Sequence, residues 1–132
     1  MWGCGDVKII KRGEDIMKNE KENLILNLSL EFALAIIAYS ERLEDLKKYV
    51  IARQLLKSGT SIGANIKEAQ NAESKADFIH KMKIAAKEAE ETEYWLALCE
   101  LSPNYPEPVK LKEQLNSIIN IISKIIITSK SN

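Results

Sequence analysis

From Leu24 onward the apolar residues of this chain recur at steps of three and four, and no stretch alternates apolar with polar residues in the manner of a strand. The pattern predicts four helices and an all-α domain. The first helix covers about Asn23 to Leu46, with Leu28, Phe32, Ala35, Tyr39, Leu43 and Leu46 on one side and Leu30, Leu34, Ile36 and Ile37 elsewhere around it. A helix that is apolar over most of its circumference must be covered on more than one side. The second helix runs from about Tyr49 to Gln70. Its seam is Leu55, Gly59, Ile62, Ile66 and Ala69, so a glycine stands where a core side chain belongs.

The third helix is expected to start at Ser74, whose hydroxyl can cap the first turn while Asp77, three residues on, returns a bond. Its seam is Phe78, Met82, Ala85, Ala89, Thr92, Leu96 and Cys99. It ends at "SPNYPEP", where Pro103, Pro106 and Pro108 punctuate the chain and Pro108 suits the first turn of the next helix. The fourth helix, about Glu107 to Ser129, carries Leu111, Leu115, Ile118, Ile122 and Ile125. Ile119, Ile121 and Ile126 widen this seam to about 160° of arc, where about 100° suffices for one buried face.

Short connections force consecutive helices to lie antiparallel, so the predicted architecture is an up-down-up-down four-helix bundle. Helices one and four adjoin in such a bundle. Their surplus apolar residues, Leu30, Leu34 and Ile37 on one and Ile119, Ile121 and Ile126 on the other, are expected to form a shared patch that meets another copy of the chain.

At 132 residues the chain has room for one domain, placed at 23–129 after an extension over 1–22. The first sixteen residues, "MWGCGDVKIIKRGEDI", show no periodicity. Two readings stand for them: a disordered tail, or an untranslated stretch, since "KRGED" ahead of Met17 can be encoded by a purine-rich ribosome-binding sequence. The apolar run from Leu24 to Tyr39 is short for a bilayer and contains Asn27 and Glu31, so a buried helix is expected and no membrane partner. Two cysteines, Cys4 and Cys99, cannot build a disulfide framework, and a reducing cytoplasm is the expected compartment.

"SGTSIGANIKEA", residues 58–69, superficially suggests a phosphate loop. A P-loop needs four residues between its glycines and a Lys-Ser/Thr after the second, whereas Gly59 and Gly63 enclose three and are followed by Ala64 and Asn65. The pair reads instead as close packing. Each mid-helix glycine costs about 1 kcal/mol relative to alanine, and Gly59 on the seam lets a facing helix, or the bulk of Trp95, approach. Ser61, Asn65 and Glu68 share one face beside that seam. Arg53, Glu91, Glu93 and the Tyr94 hydroxyl are their available partners, and a structural polar network fixing helix register is expected among them.

The segment from Arg53 to Cys99, "RQLLKSGTSIGANIKEAQNAESKADFIHKMKIAAKEAEETEYWLALC", resembles the four-helix bundle family known as 23S rRNA-intervening sequence proteins. The family's pattern, Ser-Ile-x-x-Asn-Ile-x-Glu, then Phe, then Glu-x-Glu-x-x-Leu, falls on Ser61, Ile62, Asn65, Ile66, Glu68, Phe78, Glu91, Glu93 and Leu96. Where many members have Ala-Glu-Gly, this chain has Lys67, Glu68 and Ala69. The resemblance implies a bundle that assembles into a ring-like homopentamer with no established enzymatic activity. It also implies kinship with an accessory protein of diversity-generating retroelements, a basic pentamer that binds its reverse transcriptase and nucleic acid.

Charge sharpens the choice of function. Cations and carboxylates both number 19, so no global field attracts nucleic acid. Locally, residues 24–46 hold one cation and four carboxylates, whereas 47–69 hold five cations and one carboxylate. Signs alternate again over the last two helices. Lys47, Lys48, Arg53 and Lys57 are the candidate nucleic-acid patch, with RNA, DNA or a nucleic-acid enzyme as the partner. A di-iron site needs paired Glu-x-x-His motifs, and the sole histidine, His80, sits in a single Asp77-x-x-His80. No catalytic residue, cofactor, metal or small-molecule substrate is expected, and a self-assembling scaffold is the favoured reading.

Overall fold

The computed structural model describes residues 13–131 and contains four helices: α1 (Gly13–Asp45), α2 (Tyr49–Gln70), α3 (Lys75–Leu101) and α4 (Val109–Ser131). No strand occurs among the described residues. Helix α2 has the predicted limits. Helix α1 begins at Gly13, ten residues ahead of the predicted start and within the segment expected as an extension; residues 1–12, with Trp2 and Cys4, lie outside the described residues. Helix α4 begins at Val109, where the Lys112 amide donates to the Pro108 carbonyl at 3.0 Å. Pro108 therefore precedes the helix instead of entering it, since its ring needs no amide partner there.

Local chemistry sets the turns. Lys47 adopts a left-handed φ of 64°. Around it the Lys48 amide reaches the Leu43 carbonyl at 2.8 Å and the Lys47 amide reaches Glu44 at 2.8 Å, the paired bonds of a Schellman ending. At the head of α3 the Asp77 amide donates to Ser74 Oγ at 3.0 Å, while Asp77 Oδ2 accepts from Glu73 N at 3.4 Å, one residue earlier than the predicted return bond. In the α3–α4 loop the buried Tyr39 hydroxyl donates to the Pro106 carbonyl at 2.6 Å and ties that loop to α1.

Cross-helix contacts fix the directions. An added Cβ at Gly59 would meet Ile36 and one at Gly63 would meet Ser29, so α1 and α2 run oppositely. Ser58 pairs with Thr92, and Glu68 with Lys81, which opposes α2 and α3. Glu100 pairs with Lys112, and Lys83 feels Lys130, which opposes α3 and α4. Each helix packs on its chain neighbours and α4 closes on α1.

The core joins all four elements, with Phe32, Ile36, Leu55, Ile62, Leu96, Leu115 and Ile122 fully buried. The buried residues of α2, α3 and α4 include the predicted seams, except that Phe78 is half-buried. The seam of α1 differs. Ile25, Ser29, Phe32, Ile36, Tyr39, Ser40 and Leu43 are buried, whereas Leu28 and Ala35 are half-buried and Leu46 is exposed. This amounts to a rotation of roughly 50° about the helix axis, at 100° per residue. A helix apolar nearly all round offers the pattern no unique face, and the thin side of α2 selects the one bearing Ile36. Asn23–Asp45 is, by length and composition, apolar enough to cross a membrane, contrary to the expectation of too short a run. Core helices of bundles pass the same test, and here one face of the segment is packed into the core.

Candidate interaction surface

The glycine pair sits where α1 comes nearest to α2. A Cβ at Gly59 would lie 2.9 Å from both Cγ1 and Cγ2 of Ile36, well inside the roughly 3.5–4.0 Å of carbon contact. At Gly63 the nearest atom would be Ser29 Cβ at 3.3 Å. The neighbour at Gly59 is thus the facing helix α1, not Trp95. Trp95 instead packs half-buried at the side of α3, its Nε1 donating to Glu91 Oε2 at 3.2 Å and its ring meeting Tyr94 edge-on.

Among the described residues, the seven expected to form one polar network do not bond to each other's side chains. Ser61 Oγ donates to the Lys57 carbonyl at 2.7 Å and Asn65 Nδ2 to the Ser61 carbonyl at 2.9 Å, both within α2. Glu68 pairs with Lys81 across the α2–α3 groove at 3.2 Å. Glu91 takes Trp95, while Arg53 and Glu93 are exposed and have no hydrogen bond or ion pair among the described residues. Short polar side chains on a helix bond most readily to the carbonyl one turn back, which removes them from any longer network.

The buried polar bond that does join helices links Ser58 Oγ and Thr92 Oγ1 at 2.9 Å; Thr92 gives its one hydroxyl proton to the Glu88 carbonyl at 2.7 Å, which leaves Ser58 as the donor between the helices. Its signal was a threonine on the predicted α3 seam. Burial pushes the nearby Glu88 carboxyl above its ordinary range, helped by the charge of Glu91 and opposed by Lys57. Burial likewise pushes up the free Cys99 thiol and, with Cys99 beside it, the Tyr39 hydroxyl. A neutral thiol is a poor nucleophile. Among the described residues no three His, Cys, Asp or Glu side chains converge on a metal-sized site, and His80 is exposed.

The two halves of the expected patch on α1 and α4 differ in exposure. Ile119, Ile121 and Ile126 are half-buried and pack against the protein's own core, where they flank the seam on both sides. The exposed isoleucine of α4 is Ile127, at 64 %. On α1, by contrast, Leu30, Leu34 and Ile37 are 55 %, 67 % and 38 % exposed. They lie within about 60° of one another, on the side of the helix opposite Phe32 and Ile36. On α2, Tyr49 and Leu56 are 49 % and 38 % exposed and stand in line with Arg53.

The basic residues are distributed unevenly. Lys48 reaches over the Tyr105 ring at 4.9 Å, a cation–π contact that draws it into the α3–α4 loop. Lys47, Arg53 and Lys57 are exposed, and Arg53 and Lys57 stand one turn apart on α2.

Fold and surface together define an all-α bundle with a well-formed core, an unpartnered apolar row and no convergent reactive cluster among the described residues. The sequence model of the 23S rRNA-intervening sequence protein family matches residues 21–127, and the chain belongs to that family. Four chains of solved structures match it. One is a protein with unknown function from the S23 ribosomal protein family of Bacteroides thetaiotaomicron VPI-5482, which shares 40 % identity and superposes with a TM-score of 0.75 over 83 % of this chain and 96 % of that one. No curated protein matches the chain.

Proposed function

We propose that the protein is a non-enzymatic scaffold that assembles with copies of itself, as a ring-like homopentamer in the cytoplasm. The observation that carries this reading is the row Leu30, Leu34 and Ile37, left outside on a helix whose opposite face already fills the core. Contiguous apolar surface of this kind marks a contact with another chain. Analytical ultracentrifugation at micromolar concentration tests it. A sedimentation coefficient near that of a five-copy ring is expected, and a monomer throughout would overturn the reading.

A second reading has its own observation. Arg53 and Lys47 hold no partner among the described residues, which leaves their charge available to phosphate. Nucleic acid, or an enzyme acting on it, would then bind along Lys47, Lys48, Arg53 and Lys57. Filter binding across a salt series decides this: counterion release demands retention that falls steeply with salt, and salt-independent or absent retention removes it.

A further inference from the structure

The outward side of α3, toward its C-terminal end, carries large apolar residues that the bundle leaves open. Tyr94, Leu98 and Leu101 recur at steps of four and three, a spacing that lines one face of a helix. Leu98 is half-buried and Tyr94 is 58 % exposed. Leu101, at 80 %, is the most exposed large apolar residue among those described. Tyr94 and Leu101 lie roughly 140–160° around the axis from the buried Leu96, so the core has no use for them.

Helix α2 adds to this face. Ser58 lies against Thr92 and Glu68 against Lys81, so each step back along α2 answers a step forward along α3. The same register brings Val50, 66 % exposed, level with Leu101. Trp95 stands two turns beyond Glu88, on the side of α3 that meets Lys57 of α2, and its ring meets Tyr94 edge-on. Val50, Trp95, Leu98, Leu101 and Tyr94 thus form an apolar strip along the α2–α3 groove, separate from the α1 row. Tyrosine and tryptophan are the residue types that most often anchor a protein contact.

Charge selects what the strip can meet. Residues 88–101 hold five glutamates and no cation. Glu88 faces Lys57 and Glu100 pairs with Lys112. Glu90, Glu91 and Glu93 have no ion pair among the described residues, and Glu90 and Glu91 precede Tyr94 by one turn, one on each side of it. Lys87 and Arg53 flank the strip at its edges and are outnumbered by these three. Such a rim disfavours lipid or nucleic-acid phosphates and favours lysine and arginine. We propose that this strip docks an amphipathic helix of a partner protein, one that presents aliphatic residues at steps of three and four with lysines or arginines beside them. The aliphatic row lies along Leu101, Leu98 and Trp95, and the cations meet Glu90, Glu91 and the face of the Tyr94 ring. The contact is independent of how copies of the chain assemble, because it leaves the α1 row untouched.

Three synthetic peptides test this against the full chain by titration calorimetry. One is a Leu/Lys peptide of about five helical turns with leucines at that spacing; the second has glutamate for every lysine, and the third is the first with its order scrambled. The ordered lysine peptide is expected to bind saturably, and the other two at least about tenfold more weakly. Leu101→Ser and Tyr94→Ser are each expected to weaken its binding by about tenfold, as loss of an interface anchor does. Glu90→Lys weakens it by a smaller factor, and Leu34→Ser on α1 leaves it unchanged. Circular dichroism confirms that each variant is folded. No binding of the lysine peptide, equal binding of the ordered and scrambled or of the lysine and glutamate peptides, or equal losses at Leu34 and Leu101 overturns the proposal. So does retention on phosphatidylserine vesicles that Leu101→Ser abolishes, since the face is then a membrane contact. None of these results bears on self-assembly, which sedimentation reads separately.

Discussion

Helices α1 and α4 both carry more apolar residues than one buried face requires, yet they dispose of the surplus differently. On α4 the extra isoleucines flank the seam, and Ile119, Ile121 and Ile126 are half-buried against the core. On α1 the extra leucines lie opposite the seam, beyond the reach of any helix in the same protomer. The width of an apolar arc therefore does not measure exposure. What decides is whether the surplus sits beside the core face, where a bundle has neighbours, or behind it, where it has none.

Substitutions can break this comparison at graded cost. The largest effect is expected at Phe32→Ala on the inner face of α1, which should lower unfolding free energy by about 3–5 kcal/mol through lost burial and a cavity; chemical denaturation measures it. Gly59→Leu should cost about 1–3 kcal/mol, since a new side chain runs into Ile36. An unchanged melting temperature there would place α1 farther from α2 than described. Smaller effects separate the two helices directly. Ile119→Ser on α4 should cost on the order of 1 kcal/mol for its half-buried methyls, whereas Leu34→Ser on α1 should leave the isolated fold within about 0.5 kcal/mol and act on assembly instead. Equal losses of stability at the two positions would erase the distinction.

Alkaline titration gives a further contrast, because Tyr39 of α1 holds the loop that leads into α4. Its hydroxyl is raised above the ordinary tyrosine value of 10.0, so the neutral form is favoured in the folded chain. The associated stability is present below that value and is lost as pH rises through and beyond it. Denaturation midpoints should fall above about pH 10, and Tyr39→Phe should flatten part of that fall.

The sequence showed the seams of α2, α3 and α4 because each has a polar face to contrast with its apolar one. For α1 it showed a helix but not its orientation: Ile36 and Leu46 are equally apolar in the pattern, and only the space above Gly59 distinguishes them. The start at Gly13 was hidden because the run "GEDIMKNEKE" over 13–22 shows no apolar recurrence at helical spacing. Hydroxyls were the hardest to read. Thr92 stood on a predicted seam, but nothing in its spacing pointed to Ser58, whereas Ser61 and Asn65 looked like network members and are satisfied by their own helix. Side-chain partners depend on distances between helices, which periodicity along one helix does not contain.

The turn at Lys47 carries one more implication. A left-handed backbone at a residue with a Cβ costs about 1 kcal/mol or more relative to glycine, and here the lysine makes no ion pair in return among the described residues. Lys47→Gly is therefore expected to raise the melting temperature slightly while deleting a cation from the vertex beside α2. Thermal robustness and surface charge pull in opposite directions at that single hinge, which makes it a place where a hardier protein could also be a less sociable one.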